Sequence, residues 1–87
     1  MALLLCLGAS ALPTPEARSQ QQTAAADEAE AAFQLGNRAY LAGDFRAALF
    51  HYFMSNRVAP NRKVIFNIAR CYEELGAFVE AYRYFQA

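Results

Sequence analysis

The sequence predicts an all-α protein, an α-solenoid of antiparallel helix-turn-helix repeats, on three observations. From Ala24 onward, apolar and small residues recur at helical spacing. The chain also aligns with itself at an offset of 33 residues, which lays Phe33 on Phe66, Leu35 on Ile68, Gly36 on Ala69, Gly43 on Gly76, Phe45 on Phe78, Ala48 on Ala81 and Tyr52 on Phe85. Finally, one glycine divides each unit into two helical stretches.

The elements follow in order. Residues 1–11, "MALLLCLGASA", form a short apolar run closed by small residues, which resembles a secretory signal peptide. No Lys or Arg precedes the run, and it is too short to span a bilayer. A lipid anchor at Cys6 is not expected, because "LLLC" lacks the small residues of a lipoprotein box. Residues 12–27 read as a polar linker and the start of the first helix, with "LPTPEARSQQQT" free of any apolar period. The first unit spans 28–61. Ala32, Leu35, Gly36 and Ala39 make one stripe, and Phe45, Ala48, Leu49 and Tyr52 make the facing one. Between them Gly43 is placed to stop one helix in a left-handed conformation, and Asp44 to cap the next. Pro60 ends the second helix near Val58, and Asn61 is the expected cap of the third. The second unit, 62–87, repeats the plan but is incomplete, and has Ala77 where the first has Asp44. Gly36, Ala48, Ala69 and Ala81 are expected where paired helices come closest, with Phe45, Phe78 and Phe85 filling the space beside them for about 2 kcal/mol each.

Eight basic and eight acidic residues cancel, and no Lys/Arg block stands out, so nucleic acid is not an expected partner. The two cysteines, Cys6 and Cys71, make neither a disulfide framework nor a metal-ligand spacing. His51, the single histidine, has no Cys or carboxylate at ligand or triad spacing. Glu73 and Glu74 are adjacent and point about 100° apart on a helix, which rules out a paired-carboxylate site. A non-enzymatic protein without cofactor or metal is expected.

The segment "AEAAFQLGNRAYLAGDFRAALFHYFMSNRVAPN" resembles a tetratricopeptide repeat over its whole length. Leu35, Gly36, Tyr40, Gly43, Asp44, Phe45, Ala48, Tyr52 and Pro60 supply the family skeleton, although Tyr40 stands one place late and Ala32 occupies a position that often holds a large aromatic. "RKVIFNIARCYEELGAFVEAYRYFQA" is similar through Ile68, Ala69, Tyr72, Gly76, Phe78, Ala81 and Phe85. The resemblance implies a concave groove lined by the first helix of each unit. It assigns to that face Glu30, Phe33, Asn37, Tyr40 and Leu41, then Lys63, Phe66, Asn67, Arg70, Glu73 and Glu74. Phe33 and Phe66 would form an apolar floor, and Asn37, Asn67 and Arg70 would pin the backbone of an extended peptide or its carboxylate. On the alternative reading the two Phe side chains pack between repeats and the polar residues face water. A carboxylate clamp of the kind that grips heat-shock chaperones is matched only at Asn37 and Asn67, since Phe33 replaces its Lys and no third repeat is present.

The expected function is therefore a protein–protein interaction module that binds a peptide or partner segment in its groove. It would be exported, to the bacterial periplasm or cell envelope, with a cytoplasmic location as the alternative. Three repeats are the usual minimum for a stable array. The competing reading is thus a structural or assembly subunit of the cell envelope that self-associates or stacks through the C-terminal aromatics Tyr82, Tyr84 and Phe85, or a fragment of a longer array. A regulatory appendage of an enzyme encoded downstream is a third.

Overall fold

A computed structural model describes residues 12–87, so the signal-like run 1–11, Cys6 included, lies outside the described residues. Among the described residues four helices follow one another: α1 (Pro15–Leu41), α2 (Phe45–Val58), α3 (Arg62–Glu74) and α4 (Phe78–Gln86). They pack in pairs, α1 with α2 and α3 with α4, and α2 against α3 joins the pairs. Among the described residues no helix is long and apolar enough to cross a membrane.

The polar linker expected over residues 12–23 is helical from Pro15 onward, and this corrects the sequence reading. The absence of an apolar period means only that, among the described residues, nothing buries this stretch. Its first buried residue is Ala29. Local chemistry carries the helix instead: Ala, Gln, Glu and Arg are good helix formers, and Pro15 occupies a position whose N–H needs no partner. The Thr14 hydroxyl accepts from the Ala17 N–H at 3.1 Å, and Glu16 lies favourably in the first turn.

The two hairpin turns are the same structure 33 residues apart. Gly43 (φ +79°) donates to the Tyr40 carbonyl and Asp44 N–H to that of Ala39; Gly76 (φ +76°) donates to Glu73 and Ala77 N–H to Tyr72. These paired bonds form a Schellman motif, which requires the left-handed backbone that glycine adopts cheaply. The turns differ at the next residue. Asp44 caps α2 by accepting from Ala47 N–H at 3.1 Å, whereas Ala77 offers α4 no side-chain bond. Asn61 caps α3 by accepting from Lys63 N–H at 2.8 Å.

The small residues lie where the pattern puts them: Gly36, Ala48, Ala69 and Ala81 are all buried. Tyr52 fills the space that Gly36 leaves, and a Cβ on Gly36 would come within 2.6 Å of two Tyr52 ring carbons. Val64, Ile68 and Cys71 of α3 complete the core with Ala48 and Tyr52. Ser55 is buried and donates to the Ala29 carbonyl at 2.7 Å, tying α2 to α1. Of the three phenylalanines expected to fill the core, only Phe45 is sheltered; Phe78 and Phe85 are exposed. Phe53, Tyr72 and Tyr84 instead cluster at the junction of the pairs, with ring centroids 5.6 to 6.4 Å apart. Periodicity marks a face as apolar but does not say whether a neighbour covers it.

Candidate functional site

The face shared by α1 and α3 carries two clefts. One, of ≈ 260 Å³, is lined by Asn37, Tyr40 and Leu41 of α1, Tyr52 of α2, and Asn67 and Arg70 of α3. The other, of ≈ 250 Å³, lies nearer the C-terminus of α2 and takes Glu30, Phe33 and Lys63 together with Ser55, Pro60 and Asn61. Eight of the eleven residues expected on one face thus divide between two clefts. Phe66, Glu73 and Glu74 line neither.

In the first of these clefts the orientation of Asn37 is set from below. The Tyr52 hydroxyl rises from the core and donates to Asn37 Oδ1 at 2.6 Å, a short bond that takes one of the oxygen's two acceptor positions and turns the NH₂ group away to donate elsewhere. Asn67 lines the same cleft from α3. Burial pushes the Tyr52 phenol up to about 12, which keeps it protonated and able to donate. Arg70 Nε meets Glu73 Oε1 at 3.4 Å, a half-exposed pair on one turn of α3 that engages a single edge of the guanidinium. The Tyr40 hydroxyl is 3.5 Å from Glu74 Oε2 at the rim, and its pKa is raised chiefly by burial, with Arg70 opposing and Glu74 reinforcing. Tyr40 also packs edge-on against Phe45, centroids 5.1 Å apart, and this holds the ring at the cleft wall.

The second cleft is organised by Phe33. One side of its ring meets Tyr52 at 5.7 Å, and Lys63 Nζ stands 5.5 Å from its centroid. Phe33 is therefore a half-buried brace between α1, α2 and α3 rather than an open apolar floor. Glu30 is engaged by Gln34 Nε2 at 2.7 Å. Phe66, the other half of the expected floor, turns toward α4 and packs edge-on against Phe85 with centroids 5.4 Å apart.

Sequence reasoning assigned Tyr52 to packing and missed its hydroxyl in the cleft. The available signal was chemical: its counterpart in the second unit is Phe85, and a buried hydroxyl present in one unit only needs a polar partner. Ser55, a small polar residue outside the apolar stripes, was not singled out at all. His51 is half-buried on α2 and packs edge-on against Phe50. Cys71 is buried, and burial raises its thiol to about 11, so it is held as the unreactive neutral form. Among the described residues no three His, Cys, Asp or Glu side chains come close enough to hold a metal ion.

Comparison with protein-family models, with curated proteins and with solved structures finds no match for this chain.

Proposed function

We propose that the protein is a non-catalytic interaction module of the tetratricopeptide type, and that it binds an extended polypeptide segment across the face formed by α1 and α3. The observation that carries this reading is the Tyr52–Asn37 hydrogen bond at 2.6 Å. An amide whose carbonyl is already held from beneath presents its NH₂ in a fixed direction, which suits a peptide carbonyl. Asn67 and Arg70 supply further donors across the same cleft, and Tyr40 and Leu41 supply apolar wall. Leu41 is 86% exposed, so covering it also gains apolar burial. The twofold recurrence of the glycine turn, and of the pairs Phe33–Tyr52 and Phe66–Phe85 at the same offset, supports the repeat reading. An exported location in a bacterial envelope is part of the proposal and rests on residues 1–11 alone.

The test is an NMR titration of the isotope-labelled chain with a pool of synthetic random-sequence undecapeptides. Saturable shifts are expected in the side-chain amide signals of Asn37 and Asn67, and they should be lost in Arg70→Glu. Shifts that avoid both amides, or that survive Arg70→Glu unchanged, would remove the groove assignment.

A further inference from the structure

One apolar surface has no partner within the described chain. Phe78, Val79 and Tyr82 of α4 are 68%, 65% and 66% exposed, and Phe85 and Phe66 beside them are 41% and 50% exposed. At 100° per residue, Phe78, Tyr82 and Phe85 fall on one side of the helix with Val79 at its edge. The repeat register identifies the kind of surface this is. An offset of 33 carries Phe45 onto Phe78, Leu49 onto Tyr82 and Tyr52 onto Phe85. In the first unit Tyr52 is buried and Leu49 half-buried, because α3 packs there and brings Val64 and Ile68 into the same cluster. The tilted ring pair Phe33–Tyr52 is likewise flanked by Lys63, whereas its edge-on counterpart Phe66–Phe85 stands open. The α4 face is therefore the counterpart of a helix-packing face.

We propose that a second copy of the chain covers it, α4 against α4, in a symmetric dimer. Area favours this occupant. At roughly 200 Å² per aromatic side chain, the exposed fractions amount to about 500 Å² of apolar surface per copy, near the upper end of what a monomer leaves open. Two such faces together reach the roughly 1,000 Å² that a specific interface needs. Head-to-tail stacking matches less well. The α1 residues in register with Val64, Ile68 and Cys71 are Ala31, Leu35 and Arg38, which would set a guanidinium and one large apolar side chain against the aromatic stripe. Symmetric pairing sets apolar against apolar on both copies and closes, so no further copies add.

Sedimentation velocity of the full chain, from low to several hundred micromolar, tests the proposal. A reversible monomer–dimer equilibrium is expected, with Tyr82→Glu weakening it roughly tenfold or more and Leu35→Glu leaving it unchanged. Circular dichroism establishes that both variants are folded. Independently, Tyr82→Cys in a Cys6→Ser background should yield a disulfide-linked dimer on mild oxidation, since a symmetric crossing brings position 82 near its own counterpart. A chain that stays monomeric throughout, a dimer indifferent to Tyr82→Glu, or one lost in Leu35→Glu overturns the proposal. Failure of the cysteine variant to cross-link while the dimer forms overturns the α4–α4 geometry.

Discussion

Replacing Gly36 by alanine should destabilise the fold, against the usual benefit of alanine in a helix. Taken alone, Gly→Ala in a helix interior gains up to about 1 kcal/mol. Here the added Cβ meets Tyr52 Cδ1 and Cε1 at 2.6 Å, and ordinary contact begins at 3.4 Å, so ring or helix must give by about 0.8 Å. The ring has little freedom to move: it is 2% exposed, its hydroxyl is bonded to Asn37 at 2.6 Å, and Phe33 lies 5.7 Å away. Overpacking costs about 1–3 kcal/mol, and an overlap of this depth against a held ring belongs to the upper part of that range, about 2–3 kcal/mol, leaving a net loss of about 1–2 kcal/mol. For a domain of this size that lowers Tm by about 4–15 °C. Urea denaturation followed by circular dichroism should show a lower midpoint with an unchanged slope. In a Tyr52→Leu background the same substitution should be neutral or favourable, because its steric opponent is gone. Equal or greater stability of Gly36→Ala in the otherwise unchanged chain would refute the reasoning.

Two further predictions use the same denaturation assay. Asp44→Ala removes the bond to Ala47 N–H and should cost about 1 kcal/mol, while Ala77→Asp should supply α4 with the missing cap and gain about 0.5–1 kcal/mol; a midpoint that does not rise in the second variant would show that α4 is not limited by its N-terminus. Stability should also fall in alkali: burial lifts Cys71 from 9.0 to about 11 and Tyr52 from 10.0 to about 12, and raises Tyr40 and Tyr72 as well. Above pH 9 the unfolded chain therefore binds fewer protons than the folded one, so this contribution is whole below pH 9 and is lost as pH rises toward about 12. A urea midpoint constant from neutral pH to about pH 11 would contradict the burial of these groups.

What the sequence determined by itself is what local chemistry controls. Gly43 and Gly76 must turn the chain because of their backbone freedom, Asp44 and Asn61 must start helices because their side chains accept backbone N–H groups, and Gly36, Ala48, Ala69 and Ala81 must lie at close approaches because of their size. The beginning of α1 was locally encoded too, in Thr14 and Pro15, but hidden from a reading that looked for an apolar period. The tertiary structure decided the rest. Phe45 and Phe78 occupy the same repeat position, yet only Phe45 is sheltered, because burial belongs to a pair of surfaces and not to one residue. Asn37 became a directed donor only when Tyr52, fifteen residues away on the facing helix, reached it through the gap over Gly36.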